Sequence, residues 1–238
     1  MKIGLPGHID REKWRLRLGT DDYEGLSPML ERAEAELFRS AEPRGVYKLT
    51  DIEDIPGEAI KKHLAGCRKM VLMAVTLGAG VDRAIRAAGA GDAAMQVFLD
   101  TGASVLADDL CGAFSDMIRD ELPEDLPFMT GRYSPGYGDL PLEYQDRLTA
   151  LLDTQRKIGL TVTESHLMLP RKSVTAIIGV SDHEVSGYRA VCSECALRDK
   201  CELRKQGRTC GCKDARRRIK RPAGAGCGDM PAENKEKK

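Results

Sequence analysis

Residues 70–76, Met-Val-Leu-Met-Ala-Val-Thr, form an unbroken apolar run in a chain in which 31% of side chains are charged. A strand with one wet face alternates apolar and polar residues, so a run without alternation needs cover on both faces. The run therefore predicts a buried strand inside a layered fold. It does not predict a membrane span. The longest apolar stretch, residues 70–79, is about half the roughly 20 residues required and contains Gly78.

The run leads into Leu77-Gly78-Ala79-Gly80 and then a helical pattern through Val81, Ile85 and Ala88. Strand, glycine loop and helix have the outline of a phosphate cradle. Without a third glycine or a P-loop lysine, a tight strand-to-helix turn is the preferred reading. Upstream, the alternation of Trp14, Leu16 and Leu18 predicts a strand. Ser27-Pro28 predicts a helix start, residues 46–49 a short strand and residues 58–64 a short helix. Downstream, residues 92–121 lack proline and predict one long helix or two, ended by Pro123, with Gly102 and Gly112 permitting close packing or a kink. Asp108 and Asp109 lie in this segment. They read either as a solvated acidic face or as one carboxylate turned inward to a ligand amine. Residues 142–157 predict a further helix with Leu148, Leu151, Leu152 and Ile158 as its stripe and Gly159 as its cap. The β-branched runs 161–163 and 173–178 predict strands.

From Gly187 onward the apolar periodicity stops, and cysteine, charge and glycine take over. The expected organisation is a domain over residues 1–185 and a Cys-rich segment over 186–238 with a disordered end. The chain carries 37 basic and 37 acidic side chains, which argues against a general polyanion-binding surface. The local exception is the run Arg216, Arg217, Arg218, Lys220 and Arg221. Asp10, Arg11, Glu12 and Lys13 follow the N-terminus too soon for a signal peptide. A cytoplasmic protein without structural disulfides is expected.

The stretch Arg132-Tyr133-Ser134-Pro135-Gly136-Tyr137 is the strongest candidate for binding. The planar fork of arginine suits a carboxylate or phosphate. Ser134-Pro135 enforces an extended entry, and Pro135-Gly136 favours a turn. Tyr137 then offers a ring face and a hydroxyl to the same spot. Such a loop can hold the amino-acid end of a zwitterionic ligand.

Three pieces in order resemble the reactivation (activation) domain of cobalamin-dependent methionine synthase. They are the Arg132–Tyr137 hexapeptide, the helix end Lys157-Ile158-Gly159, and Leu160-Thr-Val-Thr-Glu-Ser165 followed by Leu169-Pro170 and Ser173-Val174. The resemblance implies an α+β fold, a mixed or antiparallel sheet with flanking helices. It also implies S-adenosylmethionine as ligand and a cobalamin held by the partner. The expected partner is a cobalamin-dependent methionine synthase lacking its own activation domain, served by a stand-alone activator, with an electron donor still to be identified. In that family the domain docks on the cobalamin module after oxidation to cob(II)alamin. One-electron reduction and methylation by S-adenosylmethionine then restore the cofactor. Carried over by motif, Arg132 grips the ligand carboxylate, Ser134 and Gly136 contribute backbone, and Tyr137 hydrogen-bonds or packs beside the ligand. An acidic residue upstream meets the ligand's positive charge, a role open to Asp108 or Asp109. Glu164 matches the family and reads as a cap or as a ligand contact. The continuation Gly138-Asp139-Leu140 departs from the usual pattern.

Cys192, Cys195, Cys201 and Cys210, with Cys212 and Cys227, form a cluster that in a cytosolic chain points to metal. The C-x2-C-x5-C spacing suits an iron–sulfur cluster somewhat better than zinc, which usually takes two C-x2-C pairs, and unmetallated thiols remain a third reading. Two alternatives stand beside the activator reading. One is an activator of another corrinoid methyltransferase. The other is a Cys-cluster regulatory or nucleic-acid-binding protein, disfavoured because no aromatic set accompanies the basic run.

Overall fold

The computed structural model describes residues 1–19 and 25–185. The four cysteines read as metal ligands, the basic run and the expected boundary at residue 186 lie outside the described residues.

The apolar run is strand β2 (Lys69–Thr76), and seven of its eight residues are buried. It pairs antiparallel with β1 (Arg44–Asp51) on one side and β6 (Ser173–Ser181) on the other. A short strand, β3 (Phe128–Met129), pairs antiparallel with β6 and completes the order β1-β2-β6-β3. The sheet is antiparallel throughout, so the mixed alternative is not realised.

Both faces of the sheet are covered, as the absence of alternation requires. Val71, Met73 and Val75 of β2, with Ala176, Ile178 and Val180 of β6, face one apolar core. That core is shared with α1 (Arg11–Leu18), α2 (Ser27–Ser40), α4 (Ala79–Gly89) and the single long α5 (Ala93–Glu121). Met70, Leu72, Ala74 and Ile177 face a second core. It is closed by α3 (Glu58–Leu64), α6 (Tyr144–Leu152) and α7 (Thr154–Ile158). The result is helices, sheet, helices. A two-stranded hairpin, β4 (Thr161–Val162) with β5 (Met168–Leu169), stands apart from the main sheet.

Two expectations need correction. The segment around Trp14 is helical. Asp10 caps it by accepting from the Lys13 N–H at 3.0 Å, and Gly19 ends it at φ 68°. Trp14 is buried and points at Gly102 of α5, where any Cβ would overlap the indole. The expected helix over 142–157 is two helices, because Asp153 adopts φ 53° between them. Aspartate tolerates this left-handed conformation better than most residues. The glycine loop, by contrast, is the tight strand-to-helix turn that the sequence favours: Glu42 N–H donates to the Leu77 carbonyl at 2.8 Å, and a Cβ at Gly80 would overlap the Ser40 carbonyl.

Candidate ligand-binding site

The site begins where β3 leaves the sheet. Phe128 and Met129 pair with Ser181 and Val180, and Thr130 N–H donates to the Gly179 carbonyl at 2.9 Å. The next contact is Tyr133 with Ile177, which exchange both backbone hydrogen bonds at 2.9 and 2.7 Å. The register thus shifts by one residue, a bulge that spans Gly131 and Arg132. Bulges re-aim side chains beside functional sites.

Buried His63 fills the bulge, its Nε2 lying 2.9 Å from the Gly131 carbonyl and 2.9 Å from Thr130 Oγ1. Facing a carbonyl, Nε2 carries the proton. Burial holds the imidazole pKa below its ordinary value, against the opposing effect of the Gly131 carbonyl. Between those two values the unfolded chain binds a proton that the folded chain does not. Stability therefore falls as pH drops below about 6.5. His63→Gln should flatten the slope of melting temperature against pH between about 7 and 5.5. An unchanged slope contradicts this assignment.

Beyond Tyr133 the loop closes on itself. Tyr137 N–H donates to Ser134 O at 3.1 Å, Gly136 N–H to Leu140 O at 2.9 Å, and Tyr133 Oη to Tyr137 O at 3.2 Å. Gly136 holds φ 84°, which a residue with a side chain would resist. Ser134 Oγ donates to the Thr175 carbonyl at 2.7 Å, so its hydroxyl proton is committed to the sheet.

Opposite the loop lies a cleft of about 520 Å³, within the range of small-molecule sites. Ser134, Pro135 and Tyr137 form one wall, and Thr163, Ser165 and His166 of the hairpin turn form another. Gln145 and Thr175, both buried, lie in the lining and hydrogen-bond each other at 2.7 Å. Asp108 of α5 contributes a carboxylate. The hairpin turn is fastened to α6 by His166 Nδ1 and Asp146 Oδ2 at 2.9 Å, with His166 at φ 61°.

The structure brings Ser134, Tyr137 and Asp108 into the cleft lining and leaves the other expected residues outside it. Asp108 is also ion-paired with Arg17, and its carboxylate is 48% exposed. Asp109 is paired with Lys13 at 2.7 Å. Glu164 is exposed on the hairpin turn, and Gly136 backs the Pro-Gly turn. Arg132 is half-buried and makes no hydrogen bond or ion pair among the described residues. It lies within electrostatic reach of the α5 turn that follows Asp108. Burial pushes the Cys111 thiol up to about 12, Arg132 opposes that rise and Asp108 adds to it. Gln145, Thr163, Ser165, His166, Arg171 and Thr175 were not anticipated. Gln145 carries a usable signal, a polar residue one turn before Leu148 on an otherwise apolar stripe.

An antiparallel sheet covered by helices on both faces, with a cleft between a bulge-borne loop and a hairpin, defines an α+β domain with a candidate ligand cleft. The family model described as vitamin B12 dependent methionine synthase, activation domain, matches residues 59–193, more than half of the chain. This protein belongs to that family. Its fold matches a crystal structure of the MetH reactivation domain bound to AdoHcy, with a TM-score of 0.50 and 16% identity over 87% of each chain. A search of curated proteins returned no sequence match. Among the described residues no helix is long and apolar enough to cross a membrane, and no group of three or more metal-ligating side chains is present.

Proposed function

We propose that this protein binds S-adenosylmethionine in the cleft and docks on the cobalamin module of a methionine synthase, so that cob(II)alamin is reduced and remethylated. One observation carries the reading within this family. Four of the eight large hydrophobic side chains exposed among the described residues, Tyr137, Leu142, Leu167 and Leu169, line this one cleft. An apolar rim around a polar interior suits a site that must close against a partner. The structural relative's AdoHcy is the demethylated form of the proposed methyl donor.

The residues divide the work by charge. Arg132, two residues before the cleft-lining Ser134 and without a carboxylate partner among the described residues, reaches to the cleft edge and takes the ligand carboxylate, which fixes orientation through a paired, charge-assisted contact. Asp108 meets the ligand's positive charge. Asp109 lies outside the cleft lining and is left out of this role. Tyr137 lays its exposed ring beside the ligand, and the backbone at Ser134 and Gly136 shapes the turn. Glu164 holds a place on the rim.

The bound ligand supplies a sulfonium methyl, and the chain's task is to hold that methyl towards the partner. Residues 1–185 form the binding domain in this reading, and residues 186–238 a separate Cys-rich segment. Cys192, Cys195, Cys201 and Cys210 would hold an iron–sulfur cluster able to deliver the electron, with zinc as the alternative. Their spacing alone supports this. A visible charge-transfer band in anaerobically purified protein supports the cluster, and a colourless zinc protein overturns it. The working compartment is the cytoplasm. Titration calorimetry with S-adenosylmethionine tests the binding step, and an absence of heat at saturating ligand would remove the proposal's foundation.

A further inference from the structure

The geometry points to α3 as the element that holds the ligand loop at both ends, with Asp139 and His63 as positioning residues. The inference rests on the S-adenosylmethionine reading of the cleft. Asp139 lies beyond the recognisable motif, in the continuation Gly138-Asp139-Leu140. Its carboxylate accepts from Glu58 N–H at 2.6 Å and from Ala59 N–H at 3.0 Å, the first two amides of α3. Those amides have no partner within the helix, and Gly57 at the cap position has no side chain to offer. A residue 80 positions away does the capping.

The backbone is built for this contact. Gly57 sits at φ 114°, and a Cβ there would approach the Asp139 carboxylate and backbone to 2.8 and 3.1 Å. Gly138 sits at φ 54°, and a Cβ there would overlap Tyr133 Oη and come within 3.3 Å of Ala59 Cβ. Partial desolvation works against the charged form of Asp139. The Ala59 and Glu58 amides and nearby Lys62 outweigh it and hold the pKa below the usual aspartate value.

At its other end α3 presents His63 to the bulge carbonyl of Gly131, the residue before Arg132. The helix itself is anchored in the second core by Ile60 and Leu64. One short helix therefore grips the loop immediately before Arg132 and two residues after Tyr137. Releasing the Asp139 grip leaves the binding groups intact but lowers the fraction of loops in the binding geometry, and the apparent dissociation constant rises by the inverse of that fraction.

The test is titration calorimetry of the full chain with S-adenosylmethionine, paired with thermal melts. Asp139→Ala should bind about fivefold more weakly, the scale of a lost helix cap, and Asp139→Asn, which keeps one acceptor, should recover part of the difference. Asp54→Ala removes an equal charge beside the same helix, from an exposed ion pair with Lys61, and should match wild type. Wild-type affinity in Asp139→Ala overturns the inference, as does an equal loss in Asp54→Ala. If Asp139→Ala does not fold, Asp139→Asn carries the test, and unchanged affinity there overturns it. Failure of the wild-type protein to bind at all is a different result, and it overturns the reading of the cleft instead.

Discussion

Arg132→Ala is expected to weaken S-adenosylmethionine binding by about 100-fold, which calorimetry would read as loss of measurable heat. Three features set the size of the effect. The bulge between Thr130 and Tyr133 places Arg132 outside the regular pairing with β6. Arg132 is half-buried and has no partner among the described residues, so no described carboxylate competes for it. A hydrogen-bonded charge pair contributes about 1.5–3 kcal/mol, and truncation also leaves the ligand carboxylate facing a partly desolvated wall. Arg132→Lys should recover only part of the loss, because an ammonium cannot make the paired contact. The melting temperature should change little. Unchanged affinity in Arg132→Ala contradicts the assignment of Arg132 to the ligand, and with it the transfer of the hexapeptide's role to this chain.

The second large effect is on folding. Trp14→Ala should destabilise the protein by about 3–5 kcal/mol, the range for removing a large aromatic from a core. At roughly 2–4 °C per kcal/mol for a domain of this size, the melting temperature should fall by about 10 °C. Trp14 is fully buried, its Nε1–H donates to Thr101 Oγ1 at 3.1 Å, and its ring lies against the bare backbone of Gly102. The cavity cannot collapse easily, since α1 is also tied to α5 by the Lys13–Asp109 and Arg17–Asp108 ion pairs. A drop of only 1–2 °C would show that α1 is a loosely attached element. Because Arg17 also holds Asp108, Trp14→Ala should lower ligand affinity too, by less than Arg132→Ala.

The two effects mark where sequence reasoning succeeds and where it stops. Residues 70–76 were legible because burial on both faces leaves a signature that few alternatives share. Residues 58–64 and the long α5 were legible from their breakers, Pro56-Gly57 and Pro123. The segment around Trp14 misleads because α1 buries one residue only, and a two-turn helix with charged neighbours resembles alternation. The Asp10 cap and Gly19 terminator were the signals that would have corrected it. The break at Asp153 is not legible, since a lone aspartate within a helical pattern reads equally as a solvated face or a cap, and no glycine or proline marks the turn from α6 into α7. β3 and β5 are two residues long, below the length at which periodicity can be seen.

The candidate site divides the same way. The Arg132 loop stood out because its residue types are unusual together. The rest of the cleft did not, because Asp108, Gln145 and Thr175 come from three elements and meet only through packing. Asp108 and Asp109 are adjacent in sequence and alike in chemistry, and only the helix phase separates the one in the lining from the one outside it. Asp139 looked like a departure from the family. Its meaning required knowing that the start of α3 lies beside it.

The proposed function is that this chain restores an oxidised cobalamin on a methionine synthase by presenting S-adenosylmethionine to it. The most direct measurement follows the visible spectrum of the cobalamin on a partner synthase held as cob(II)alamin, with reductant and S-adenosylmethionine, with and without this protein. Conversion to methylcobalamin is expected when all components are present, and little conversion when this protein is omitted or replaced by Arg132→Ala. Conversion at the same rate with and without the protein, in the presence of ligand and reductant, would contradict it.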